Sequence, residues 1–171
     1  MGHNGKHLRR NSANESLFER LEDRALFAAV VHVDLANLSG VQNGTASRPF
    51  RSIQAAVEAV DPGGVVKVAK GTYVENVVVA DKSVQLLGGF AGGGDFDAAS
   101  PGGNLTRIRA QKAAEPTIDL QNVTDRDILI DGFTITGGHN GIHIVSDFQF
   151  FSDVTISRNV IEGNGPGRLD F

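Results

Sequence analysis

One short pattern occurs twice in this chain at a single offset, and it restricts the fold more than any other feature. Ile128-Leu129-Ile130-Asp131-Gly132, followed by Thr134-Ile135-Thr136-Gly137-Gly138, returns 26 positions later. The second copy is Val154-Thr155-Ile156-Ser157-Arg158, then Val160-Ile161-Glu162-Gly163-Asn164. Inside each run apolar residues alternate with polar ones, and Gly or Asn punctuates the ends, so the runs read as short strands joined by tight bends. Between the copies, Ile142 and Ile144 follow Ile118 and Leu120 by 24 positions. Val84 and Leu86 precede Ile128 and Ile130 by 44, one period plus an insertion. A period in the twenties, with several strands per period and little helix signal, predicts an all-β solenoid. Its coils stack at the inter-strand spacing of about 4.8 Å, and Val84, Ile128 and Val154 share one rung of an internal aliphatic ladder.

A chain of 171 residues buries one core and needs no second globular domain. Its 21 glycines and 6% aromatic content suit recurrent bends around a narrow aliphatic interior. The formal net charge of −4 and the lack of a basic stripe argue against nucleic acid as a partner. Without cysteine there is neither a disulfide framework nor a thiolate zinc site. No stretch approaches the roughly 18 apolar residues of a membrane span.

The first 29 residues read apart from the rest, as a leader that is disordered or cleaved. Met1 to Arg24 is polar, carries both signs of charge and shows no sustained period. The uncharged run Ala25 to Val31 is only just long enough for the hydrophobic part of a secretory signal, and Ala28-Ala29 suits a signal-peptidase site. The solenoid domain is expected over 30–171, beginning with the strand Val31-His32-Val33-Asp34. Ile53, Ala56, Val57 and Val60 then fall at i, i+3, i+4 and i+7 on one helical face. Ser52 or Ser47 can cap that helix and Asp61-Pro62-Gly63-Gly64 stops it, which places it over 52–60. The first coil of a solenoid leaves its core open to water, so this helix is expected to act as a lid. Strands follow at Val65 to Ala69, Asn76 to Ala80 and Val84 to Leu87, with bends at Lys70-Gly71-Thr72-Tyr73 and Asp81-Lys82. A Gly-, Asp-, Ala- and Ser-rich insertion runs from Phe90 to Asn104, the kind of loop where such proteins keep specificity. Thr106 to Ala110 and Thr117 to Leu120 complete the strands before the repeat.

Several of these segments together resemble a known family. Asn43-Gly44-Thr45, Arg48-Pro49-Phe50-Arg51-Ser52-Ile53-Gln54-Ala55-Ala56-Val57, Pro62-Gly63-Gly64-Val65-Val66 and Gly71-Thr72-Tyr73-Val74-Glu75 occur in that order. They are similar to the amino-terminal module of the pectate-lyase-like right-handed parallel β-helix superfamily. Leu87-Gly88-Gly89-Phe90 and Ile130-Asp131-Gly132-Phe133-Thr134-Ile135-Thr136-Gly137-Gly138 resemble the coils that follow. The resemblance covers about Val31 to Asn164 and implies a right-handed parallel β-helix with an N-terminal capping helix. It does not fix an activity, because the superfamily includes lyases, hydrolases, epimerases, adhesins and non-catalytic proteins. Phe18-Glu19-Arg20-Leu21-Glu22-Asp23-Arg24-Ala25-Leu26-Phe27-Ala28-Ala29 resembles the Leu-Glu-x-Arg signature that opens many large exported bacterial surface proteins. That implies an extracellular or cell-surface location.

Lyases of this superfamily that act on acidic polysaccharides bind Ca²⁺ through outward carboxylates, and a nearby Arg or Lys removes the proton beside the uronate carboxyl. The outward candidates here follow from alternation. With Ile118, Leu120, Ile142 and Ile144 inward, Asp119 and His143 point outward, and their 24-residue offset makes them neighbours on adjacent coils. Arg107 and Arg109 flank Ile108 on the outward side of one strand and suit a uronate carboxylate, although a basic strand also serves solubility and edge protection. Asp125 and Asp127 straddle Arg126 at a spacing that can bind calcium, while Asp is equally a bend residue. Gly92-Gly93-Gly94-Asp95-Phe96-Asp97 is similar to a calcium-binding nonapeptide but occurs once, where that motif works in tandem. His139 lies in a bend with no partner histidine at metal spacing. Asn159 and Asn164 suit an internal asparagine ladder that bonds bend backbone between coils. No catalytic residue transfers from the resemblance position by position, and no cofactor is evident in the sequence; calcium is the one that the lyase resemblance would call for.

About three coils can be counted, and Gly165 to Phe171 offers neither a capping helix nor another strand. The expectation is therefore a truncated array, a fragment of a longer protein, or one that associates end to end through its uncapped last coil. Its expected function is that of a non-catalytic carbohydrate-binding or adhesion scaffold at the cell surface. The alternative is a polysaccharide lyase performing Ca²⁺-assisted β-elimination on an acidic polysaccharide.

Overall fold

A computed structural model describes residues 30–122, 127–145 and 153–165. The leader read at 1–29, and Asp125, lie outside the described residues. Alternating aliphatic residues produce twelve described strands: β1 (Val30–Val33), β2 (Val65–Ala69), β3 (Gly71–Val74), β4 (Val77–Ala80), β5 (Gln85–Phe90) and β6 (Thr106–Arg109). They continue as β7 (Ile118–Gln121), β8 (Ile128–Asp131), β9 (Phe133–Thr136), β10 (Ile142–Val145), β11 (Val154–Ser157) and β12 (Val160–Ile161). One helix, α1, covers Ile53–Ala59.

The strands fall into three sheets, ordered β1-β2-β5-β8-β11, β4-β7-β10 and β3-β6-β9-β12. Every pair between named strands is parallel. The chain visits the three sheets in turn and then repeats the circuit, which is the solenoid that the repeat predicts. The offsets are reproduced in the register: Leu86 pairs with Ile130, Ile128 with Val154, Ile118 with Ile142, and Ile135 with Ile161.

The inward residues of all three sheets form one core. Val66, Leu86 and Ile130 stack from the first sheet, Val77, Val79, Ile118 and Leu120 from the second, and Tyr73, Ile108 and Ile135 from the third. Each fully buried aliphatic side chain in such a ladder stabilises by roughly 1.5–3 kcal/mol. α1 packs against β1, β2 and β4 at one end of this core, with Ile53, Ala56 and Val57 buried.

Two details differ from the sequence reading. Lys70-Gly71-Thr72-Tyr73 is not a bend, because Gly71–Val74 forms β3 in full register with β6. Lys70 alone separates β2 from β3. The corner turns that tightly because Tyr73 points inward, where it is buried and its hydroxyl donates to the Ala69 carbonyl at 3.0 Å. Burial pushes the Tyr73 phenol well above its ordinary pKa. The second difference is that β5 runs through Phe90 rather than ending at Leu87. Lys67 pairs with Leu87 and Ala69 with Phe90, so β5 holds one extra residue in a bulge. Gly89 supplies the left-handed φ of +88° that such a bulge uses. Phe90 then turns outward and packs with Phe96 of the insertion and Ala69 in a second, smaller cluster.

Candidate functional site

Strand pairing brings Asp119 and His143 together on the outer face of the β4-β7-β10 sheet. His143 Nδ1 lies 2.9 Å from Asp119 Oδ1, and Gln121 Nε2 donates to Asp119 Oδ2 at 2.6 Å. The Asp119 side chain is 16% exposed and that of His143 43%. Asp119 thus orients the imidazole through Nδ1. This is the geometry that lets a carboxylate fix a histidine tautomer.

Arg107 and Arg109 are on the outward side of β6, in a different sheet. Their ladder neighbours are Thr72 and Thr134 for Arg107, and Val74 and Thr136 for Arg109. The structure therefore does not bring either arginine to the Asp119–His143 pair.

Asp127 sits in a bend with φ of +76° and lines a recess of about 280 Å³ with Gln85, Asp153 and Thr155. Among the described residues, no three His, Cys, Asp or Glu side chains converge in a metal-binding group. The glycine-rich segment at Gly92 has a structural use: Gly92 and Asp95 close a tight turn that buries Phe96. His139 donates its backbone N–H to the Glu115 carbonyl at 2.9 Å, which ties the bend to the preceding coil.

The two bend asparagines act as the ladder reading expects. Asn159 accepts from the Phe133 amide at 2.8 Å and donates to the Ile130 carbonyl at 2.7 Å. Asn164 accepts from the Gly138 amide at 3.1 Å and donates to the Ile135 carbonyl at 2.9 Å. Each side chain therefore holds one coil to the backbone of the coil before it.

Two arrangements escape sequence reasoning. Asp131 is buried, and it accepts from Ser157 Oγ at 2.7 Å and Arg158 Nε at 2.9 Å, with a further short contact to Arg158 Nη2. The Arg158 hydrogen bonds hold its carboxyl below the usual carboxylate range. The 26-residue offset does place Ser157 over Asp131, but it says nothing of Arg158, which reaches back from a backbone position with φ of +50°. The second arrangement is a cleft of about 650 Å³ between the 34–38 turn and the 91–94 turn, with Asp34 and Lys70 in its lining. In the sequence these turns are more than fifty positions apart, and no offset links them.

Among the described residues, no helix is long and apolar enough to cross a membrane. The chain is 27% identical over 142 residues to a protein named "Cell surface glycoprotein" from Methanothermus fervidus. That match takes in 80% of this chain and 20% of the relative, so the chain spans about a fifth of the relative's length. No solved structure matches. A family profile matches residues 38–167, which includes every strand from β2 to β12. The chain belongs to the family described as "Protein of unknown function (DUF1565)".

Proposed function

We propose that this chain is a non-catalytic carbohydrate-binding or adhesion scaffold of an extracellular or cell-surface protein. The observation that carries this reading is the separation of the candidate acid and base groups. Asp119 and His143 share one sheet, while Arg107 and Arg109 are on another. β-Elimination on a uronate needs a cation-binding carboxylate set and a base on the same substrate. The name of the Methanothermus fervidus relative and the Leu-Glu-x-Arg-like leader support a surface location.

The finer architecture belongs to the same reading: a right-handed, pectate-lyase-like parallel β-helix with α1 as its lid. Parallel crossovers are right-handed in about 98% of cases. Support for the lid comes from Gln54, whose side chain accepts from the Val78 amide at 2.8 Å and donates to the Val78 carbonyl at 3.3 Å. It satisfies backbone on the edge strand β4 as a neighbouring strand would. At the other end of the stack, Ile144, Ile156 and Ile161 are exposed directly above the buried Leu120, Ile130 and Ile135.

The test is a glycan array with and without calcium, followed by a turnover assay on each glycan bound. Binding without turnover is the expected result. Calcium-dependent release of ultraviolet-absorbing unsaturated products from a uronate polymer would instead make the chain a lyase.

A further inference from the structure

We infer that the cleft between the 34–38 and 91–94 turns binds the end of a neutral glycan. The inference rests on the carbohydrate-binding reading and gives it a place and a sugar class. At about 650 Å³ the cleft has the size of a small-ligand site and admits one or two sugar residues.

Its floor is built and charged. Asp34 is buried, with Oδ1 accepting from the Ala36 amide at 2.9 Å and Oδ2 from the Gly93 amide at 2.7 Å. One carboxylate thus pins both walls, and its remaining lone pairs can accept hydroxyl protons. The fit is close: a Cβ at Gly92 would lie 2.7 Å from Asp34 Oδ2, so only glycine lets that turn approach. Asn37 fixes the opposite wall by donating to the Pro49 carbonyl at 2.5 Å.

The rim supplies what the floor lacks. Lys70 lines the cleft and is exposed, and among the described residues its ammonium has no hydrogen-bond or salt-bridge partner. Leu38 also lines the cleft, with 93% of its surface exposed. A sugar hydroxyl donates and accepts at once, so it can give its proton to Asp34 and receive one from Lys70. The C–H face of a pyranose can cover Leu38. The choice of a neutral sugar follows from the charges, because the lining carries one carboxylate, Asp34, and one ammonium, Lys70. A uronate carboxylate drawn to Lys70 would be set against Asp34, and like charges placed together in an interface disfavour binding.

The experiment uses the full chain with immobilised mannose-, glucose- and galactose-terminated oligosaccharides beside uronate-terminated ones. Affinities of hits are then measured by calorimetry. Lys70→Ala is expected to weaken neutral-glycan binding about tenfold, the loss of one charge-assisted hydrogen bond. Leu38→Ser is expected to weaken it about fivefold. Both side chains are exposed, so melting curves should match the parent, and Lys112→Ala serves as a remote control with unchanged affinity. Neutral-glycan binding that survives both substitutions overturns the cleft while leaving the carbohydrate reading in place. A preference for uronate ends, suppressed by salt, overturns the sugar class. Binding to no glycan overturns the cleft and the reading together.

Discussion

Glu75 is the side chain on which the seating of α1 depends, and its removal has a calculable cost. Its carboxylate accepts three hydrogen bonds, each 2.9 Å long, from Ser52 Oγ, the Ile53 amide and the Gln54 amide. Those amides are among the first-turn donors that no helix can satisfy internally. The third, Ala55, is served by Ser52 Oγ at 3.3 Å. A seven-residue helix does not persist alone in water, so undocking and unwinding are one event. Each hydrogen bond to a charged group contributes about 1.5–3 kcal/mol when water is excluded. Glu75 is part-exposed, and water would re-solvate the freed donors. We therefore expect Glu75→Ala to cost about 2 kcal/mol rather than the sum, and Glu75→Gln about half as much. The assay is hydrogen exchange at the Val60 amide, which donates to Ala56 at the helix end. A loss of 2 kcal/mol accelerates exchange from the undocked state about thirtyfold. Exchange unchanged within about twofold in Glu75→Ala would refute the claim that this carboxylate seats the helix.

The other predictions concern the stack and its outer face. The Arg158 hydrogen bonds hold the folded Asp131 carboxyl below the ordinary carboxylate value, so its contribution is present above the unfolded pKa and is lost as pH falls through the folded pKa. Asp131→Asn should flatten the acid limb of a stability-versus-pH curve below about pH 4, with an NMR titration of the parent Asp131 carboxyl as the direct check. Asn159→Ala removes a two-point clamp on the Ile130 carbonyl and Phe133 amide and is expected to cost about 2 kcal/mol in urea unfolding. Ile130→Ala, at the centre of the ladder, is expected to cost 2–5 kcal/mol. Asp119→Ala breaks the histidine pair on the sheet face but should leave glycan affinity unchanged by calorimetry.

The periodic part of this fold is legible from sequence because stacking repeats the same environment. Ile128 and Val154, or Asp119 and His143, are neighbours simply because they occupy equal positions on successive turns. Local rules also placed α1, since a helical face and a Ser cap are visible within ten residues. Where the rules failed, a competing interaction was non-local. Lys70 to Tyr73 looks like a bend by composition, but the buried Tyr73 and the pairing with β6 hold it as a strand. The bulge at Gly88 and Gly89 is a register change that depends on β2 alongside it. The cleft was invisible for the same reason. Asp34 reads as the end of a strand until Gly93, fifty-nine residues away, is seen to donate to it. Arg158 gives no signal either, because its contact with Asp131 is one position off the 26-residue offset that aligns the coils.

Everything functional here presupposes that coils stack in parallel with Leu86, Ile130 and Ile156 as successive rungs. Inter-strand NOEs across β5, β8 and β11 measure that arrangement directly. Sequential contacts from Leu86 to Ile130 and from Ile130 to Ile156, without the close Hα–Hα pairs of antiparallel strands, are the predicted result. Antiparallel Hα–Hα contacts, or Ile130 paired at any other offset, would contradict it.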